Sequence, residues 1–114
     1  MSLSIDVNDE IVQQITDCLV KTSNPERIIL FGSRAANMNQ SDSDVDLLVI
    51  VDSGFHLQRS RIKEIARMEK ALRGTKVPTD LLVYSHDEFE RWKDTPTHVI
   101  HRAVQEGKVL YERS

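Results

Sequence analysis

Two aspartates at the start of an apolar segment are the strongest candidates for chemistry in this chain. Asp44 and Asp46 are two positions apart, and the segment 45–51 is otherwise made of Val, Leu and Ile. On a β-strand, side chains two positions apart point to the same face, so these carboxylates would stand side by side and repel each other. A divalent cation removes that repulsion, and carboxylate oxygens suit Mg²⁺ or Mn²⁺. The spacing therefore predicts a metal site.

A second candidate follows the preceding apolar segment, residues 28–31. Gly32, Ser33 and Arg34 come directly after it and are predicted to open a helix. The first turn of a helix offers free N–H groups and partial positive charge to a phosphate. Glycine allows a tight turn and a close approach of the backbone, while Ser33 adds a hydroxyl donor and Arg34 a cation. Together with the aspartates, this turn predicts a nucleoside triphosphate held through a divalent metal.

The periodicity of apolar residues supplies the elements that must position these groups. Residues 28–31 and 45–51 read as strands, and Asp80 opens a third apolar segment. Ser85 and Glu88 have the spacing of a helix-capping box, with Phe89 and Trp92 following on one helical face. The basic side chains of the second long helix are expected mostly on its exposed face. In chain order the pattern predicts a helix over 6–21, strands over 27–31 and 45–51, a helix over 57–72, a strand over 80–84, a helix over 97–106 and a strand over 109–111.

Length and composition limit the possible functions. The chain has 114 residues and a net charge of −3, which predicts one domain, 1–114, and no sequence-specific DNA binding. No apolar run approaches the ~20 residues that span a bilayer, and one cysteine permits no internal disulfide, so we expect a cytoplasmic protein. His98 and His101 have the spacing of a metal pair on a helix, but the sequence offers no third ligand nearby.

The combination of Gly32-Ser33 with Ser43-Asp44-Val45-Asp46 and a following apolar strand resembles the nucleotidyltransferase superfamily typified by DNA polymerase beta. In its short length and its Gly-Ser-Arg-Ala sequence, the chain is similar to the minimal nucleotidyltransferases, the MntA-like antitoxins of HEPN/MNT toxin–antitoxin pairs. The resemblance covers most of the chain. It implies an α/β (α+β) fold like the polymerase beta palm: a small mixed, twisted sheet with helices mainly on one face and the carboxylates on the open face.

The resemblance also implies roles for individual residues. Asp80 occupies the place of the family's third acidic residue, so Asp44, Asp46 and Asp80 would hold two Mg²⁺ ions, with Mn²⁺ as an alternative metal. Gly32 and Ser33, with Arg34 beside them, would bind the phosphates of ATP. The implied reaction moves AMP onto a hydroxyl, usually of a tyrosine, on a HEPN-type toxin, which makes this chain an antitoxin that works in a homo- or hetero-oligomer.

Two alternatives stay open from the sequence. One is a non-catalytic antitoxin that neutralises its partner by binding alone. The presence of all three carboxylates and of Gly32-Ser33 weighs against it. The other is nucleotidyl transfer to a small molecule or to an RNA end. Larger members of the family carry an added domain for such acceptors, and 114 residues leave no room for one.

Overall fold

The computed structural model describes residues 3–32, 45–52, 58–75 and 77–113, with the backbone alone described for residues 3–9 and 58–60. Four strands and four helices form in this part of the chain. In chain order they are α1 (Leu3–Ser23), β1 (Arg27–Phe31), β2 (Val45–Val51), α2 (Gln58–Leu72), β3 (Thr79–Ser85), α3 (His86–Trp92), α4 (Val99–Glu106) and β4 (Lys108–Glu112), with a short 3₁₀ turn at Arg73–Thr75.

The four strands form one mixed sheet in the order β3-β2-β1-β4. Strand β1 pairs antiparallel with β2 on one side and with β4 on the other. Strands β2 and β3 are parallel, and the helix α2 lies between them in the chain. A parallel pair needs such a crossover, because the chain must return to the starting end of the sheet. The result is the mixed α+β architecture that the sequence predicted.

Each face of the sheet packs against its own pair of helices. Strand β2 is buried on both faces except at Asp46, which explains its nearly continuous apolar sequence. One face, here the α1–α2 face, buries Leu47 and Val49 against the two long helices. The other, the α3–α4 face, buries Leu48 and Ile50 against the two short helices. The two long helices therefore pack on one face, and the two short helices pack on the other.

The apolar periodicity that predicted α1 corresponds to real packing. Ile15 and Leu19 are completely buried and meet Met68 and Leu72 of α2 in the same core. Helix α1 begins at Leu3 rather than at residue 6 and ends at Ser23, just before Pro25. The strand boundaries match the prediction closely: β1 and β2 have the predicted limits, and β3 extends one residue further at each end.

One basic residue of α2 departs from the expected exposed position. Arg61 is half-buried and donates a hydrogen bond to the carbonyl oxygen of Val83 at 3.1 Å. It also forms an ion pair with Glu88 and lies 5.4 Å from the ring centroid of Tyr84. Arginine reaches these partners because its long aliphatic stem packs along the sheet while the guanidinium finds acceptors. Arg61 thus joins α2, β3 and α3.

No helix in the part of the chain that the structure describes is long and apolar enough to cross a membrane.

Candidate active site

The register of the parallel pair places two carboxylates next to each other. Asp46 is the second residue of β2 and Asp80 the second residue of β3, and they are direct partners across the two strands. Neighbouring strands lie about 4.8 Å apart, and partners in register point to the same face. Asp46 shares its face with Leu48 and Ile50, so both carboxylates lie on the α3–α4 face. They stand at the start of both strands.

The two aspartates differ in their exposure to solvent. Asp46 is half-buried, whereas Asp80 is exposed. Asp80 makes no hydrogen bond or ion pair with any side chain in residues 3–32, 45–52, 58–75 and 77–113. A carboxylate pair at a sheet end, open to solvent on one side, is accessible to a hydrated cation. Mg²⁺ is bound in this way, through one or two carboxylates, retained waters and substrate phosphates.

Gly32 lies beside this pair. It follows β1 directly, and the last residue of β1, Phe31, is the register partner of Asp46. Gly32 has φ of +80°, a left-handed conformation that side chains with a Cβ rarely adopt. The Asp46 carboxylate fills the space where a side chain at position 32 would begin, since a Cβ built there would lie 3.2 Å from Cγ of Asp46 and overlap Oδ2. The backbone at Gly32 and the Asp46 carboxylate are therefore in direct contact.

The other residues predicted for this site lie outside the described residues. These are Ser33 and Arg34, which follow Gly32, and Asp44, which comes one residue before β2. Their assignments as phosphate-binding and metal-binding residues stay predictions. Among the described residues, Gly32 at the end of β1 and Asp46 near the start of β2 lie at the same end of this antiparallel pair.

The donor set fits a hard divalent cation. Asp46 and Asp80 supply only oxygen ligands, which suit Mg²⁺ or Mn²⁺ and not a metal that prefers sulfur or imidazole. Within the described residues no three His, Cys, Asp or Glu side chains are grouped so that they could hold a metal ion. The strand register brings together two of the three predicted carboxylates, Asp46 and Asp80. A cation held there would compensate the negative charge of a triphosphate and of the two aspartates together.

The two histidines with metal-like spacing have structural roles instead. His98 caps the N-terminus of α4, where its Nδ1 accepts a hydrogen bond from the N–H of Ile100 at 3.1 Å. Its ring stacks on Trp92 with centroids 4.8 Å apart. Nδ1 of His101 lies 2.8 Å from the carbonyl oxygen of Lys93. Both rings therefore stabilise the connection between α3 and α4, and this structural role explains their spacing without a metal.

The opposite end of the sheet carries a different set of charged residues. Ser85 caps α3 and forms the predicted box with Glu88, whose Oε1 accepts from the N–H of Ser85 at 2.9 Å. Burial acts to raise the pKa of Glu88, but the hydrogen bond from the Ser85 N–H and the contacts with Arg61 outweigh it, so the pKa lies below its ordinary value. Nearby, Glu26 pairs with His86 at 2.8 Å.

Sequence reasoning missed the contact between Gly32 and Asp46. The glycine at the end of an apolar strand was visible, but which residue would face it depended on the antiparallel register of β1 and β2. Sequence reasoning also missed the role of Arg61, because its position on an amphipathic helix gave no sign of the acceptors on β3 and α3.

Comparison with known proteins agrees with this geometry. Residues 13–114 match the model of the family described as polymerase beta, nucleotidyltransferase. The structure is similar to the crystal structure of a Sulfolobus solfataricus protein provisionally described as a nucleotidyltransferase, with a TM-score of 0.63 and 18% sequence identity over 99% of this chain and 90% of that one. At this identity the structural match shows a shared fold. No curated protein matches the chain. Because the family match covers most of the chain and includes the strands that carry Asp46 and Asp80, this chain belongs to the polymerase beta nucleotidyltransferase family.

Proposed function

We propose that this chain transfers AMP from ATP to a hydroxyl group of a partner protein. The observation that carries the proposal is the direct register of Asp46 and Asp80 on neighbouring parallel strands, with Gly32 at the adjoining end of β1. Proteins of this family generally use a nucleoside triphosphate and divalent metals. Membership supports a transferase, and the choice of ATP, of two Mg²⁺ ions and of a protein acceptor is the further content of the proposal.

The proposed step is an in-line displacement at the α-phosphorus. The acceptor oxygen forms a bond to the α-phosphorus while the bond from that phosphorus to the oxygen bridging to the β-phosphate breaks, and pyrophosphate leaves. The acceptor proton passes to Asp80 or to water. Asp80 is suited to this position, because it is the exposed member of the pair and the one an incoming acceptor meets first.

The remaining site residues position the nucleotide. Asp46 and Asp44 would hold the triphosphate through the metal, while the backbone at Gly32 and the hydroxyl of Ser33 would bind the β- and γ-phosphates. Arg34 adds positive charge beside them. Catalysis of this kind depends on positioning and on compensation of charge, which a rigid sheet end supplies.

A protein acceptor is compatible with the position of Asp80. This residue is exposed and lies on β3, an edge strand with no further strand of the described sheet beyond it. We propose a HEPN-type toxin as the partner and one of its tyrosines as the acceptor, so that modification silences the toxin. This assignment rests on the resemblance to the minimal nucleotidyltransferases.

Intact-mass spectrometry tests the proposal. The chain is co-expressed with a candidate partner, or incubated with it, ATP and Mg²⁺. We expect the partner to gain the mass of AMP groups, and the gain to be absent with Asp46→Asn. Asp52→Asn is the matched control, since Asp52 is an aspartate at the other end of β2 that pairs with Arg113. A tight complex without any mass gain would instead indicate a binding antitoxin, and a gain only on RNA or on a small molecule would indicate the other class of acceptor.

A further inference from the structure

Gly32 has two features that are separable. One is its backbone conformation, with φ of +80°, which residues with a Cβ rarely adopt. The other is the absence of a side chain at a position where a Cβ would overlap the Asp46 carboxylate. The first feature concerns the path of the chain. The second concerns a specific neighbour on a different strand, and phosphate binding does not explain it.

The backbone at Gly32 and the Asp46 side chain are too close to leave room for a residue with a Cβ at position 32. A Cβ at position 32 would lie 3.2 Å from Cγ and 3.4 Å from Cβ of Asp46, and it would overlap Oδ2. The backbone of Asp46 is held between Phe31 of β1 and Asp80 of β3 by the sheet register, so the part of Asp46 that can move is its carboxylate. A side chain at position 32 would therefore turn the carboxylate about its own side-chain torsions, toward or away from Asp80.

We propose that Gly32 is a positioning residue: because it has no side chain, it leaves room for the orientation of the Asp46 carboxylate that metal binding requires. This inference rests on the proposed function, because orientation matters only if Asp46 binds a cation together with its neighbour. Gly32 thereby acts on the metal through Asp46, in addition to any contact that its backbone makes with phosphate. Carboxylate ligands bind well only when a neighbouring group holds them in a productive orientation.

A double-mutant cycle separates the contact from the backbone strain. Gly32→Ala is measured in three backgrounds: the wild type, Asp46→Asn and Asp46→Ala. Asparagine has the shape of aspartate and keeps the overlap, whereas alanine removes it. We expect Gly32→Ala to lower the melting temperature by about 10 °C in the first two backgrounds and by about 5 °C with Asp46→Ala, where only the strain of the positive φ remains.

Two other glycines serve as controls. At Gly74 a Cβ would meet nothing within 4 Å, so Gly74→Ala should leave the melting temperature unchanged. At Gly107 a Cβ would overlap the carbonyl oxygen of Ala103 and lie 2.6 Å from Cγ2 of Ile29, so Gly107→Ala should destabilise the fold. Because Gly107 has no contact with Asp46 there, its penalty should be the same in all three backgrounds.

Metal affinity provides the second readout. Mn²⁺ binding to the folded protein, followed by the paramagnetic signal of the free ion, should weaken roughly tenfold or more in Gly32→Ala and stay unchanged in Gly107→Ala. An equal Gly32→Ala penalty in every background, or an unchanged Mn²⁺ affinity, overturns the proposal. If Gly32→Ala is unfolded, refolding in combination with Asp46→Ala supports it, and failure to refold there, with Asp46→Ala alone folded, overturns it.

The two readouts also distinguish this inference from the proposed function. If the wild-type chain binds no Mn²⁺ while the Gly32→Ala penalty still depends on Asp46, the packing of Gly32 against the carboxylate stands and metal-dependent transfer fails. If Mn²⁺ binds in the wild type and the penalty is independent of Asp46, the metal site stands and the positioning role of Gly32 fails.

Discussion

Acidic residues have contrasting surroundings at the two ends of the parallel pair β2–β3. At the starting end, Asp46 and Asp80 face each other in register, and two like charges are brought together. At the other end, Val51 is the register partner of Ser85, and carboxylates near these two residues form ion pairs. Those ion pairs are Arg61–Glu88, Arg113–Asp52 and, at the adjoining end of β1, Arg27–Glu112. Glu26 also lies 2.8 Å from Nδ1 of His86.

This contrast separates stability from function within one sheet. The end with the ion pairs, here called the paired end, connects α2, α3, β1 and the C-terminal residues. Its charges therefore stabilise the fold. The end with Asp46 and Asp80 has adjacent negative charges that favour a cation from solution. Sites of this kind often cost stability, because the charges are arranged for a ligand and not for each other. Variants at the two ends should therefore have opposite effects on activity and on stability.

The largest expected effect is on transfer at the carboxylate end. Asp80→Asn keeps the shape of the side chain but removes the charge, so transfer should fall by at least about 10²-fold, as for other groups that compensate charge in the transition state. Rates of AMP incorporation into the partner measure this. A rate close to wild type for Asp80→Asn would contradict a catalytic role for this end of the sheet. An equal loss of transfer in Asp52→Asn would show that the two ends do not differ in function.

The next effect is on stability at the paired end. Glu88→Gln loses the ion pair with Arg61 and weakens the hydrogen bond from the Ser85 N–H, so the free energy of unfolding should fall by about 1 kcal/mol. Urea denaturation measures it. Glu90→Gln is the control, since Glu90 pairs with Lys93 at the end of the same helix but is exposed, and no measurable change is expected. Equal losses for both variants would contradict this assignment.

A smaller effect of opposite sign is expected for Asp80→Asn in metal-free buffer. Removing one of two adjacent like charges should leave stability unchanged or raise it by about 0.5 kcal/mol. Added salt should reduce the difference, because Asp80 is exposed and its interactions are screened. A clear loss of stability at low ionic strength would show that Asp80 supports the fold and would remove the contrast between the ends.

The smallest effect concerns pH. The pKa of Glu88 is lower in the folded protein than its ordinary value, so Glu88 contributes stability above the unfolded-state pKa and loses that contribution as the pH falls through the folded-state pKa. The urea midpoint of the wild type should therefore fall more steeply than that of Glu88→Gln as the solution is acidified below about pH 4.5. Parallel curves for the two proteins would indicate that Glu88 is not responsible.

Much of the local structure follows from the order of residues. The apolar runs gave the limits of β1 and β2, and the spacing of Ser85 and Glu88 predicted the cap of α3, because these features depend on neighbours within a few positions. Gly32-Ser33 together with Ser43-Asp44-Val45-Asp46 also predicted the family, since that combination is specific. The roles of Ser33, Arg34 and Asp44 stay predictions.

Long-range contacts could not be read from the chain. Asp46 and Asp80 are 34 positions apart, and only the parallel register of β2 and β3 makes them direct partners. Shifting that register by one residue would turn one of them to the other face. The same holds for Gly32 against Asp46 and for Arg61 against Glu88. Residue types and local spacing determined which groups were available, and the packing of the sheet and helices decided which of them meet, because register depends on the fit of the whole core.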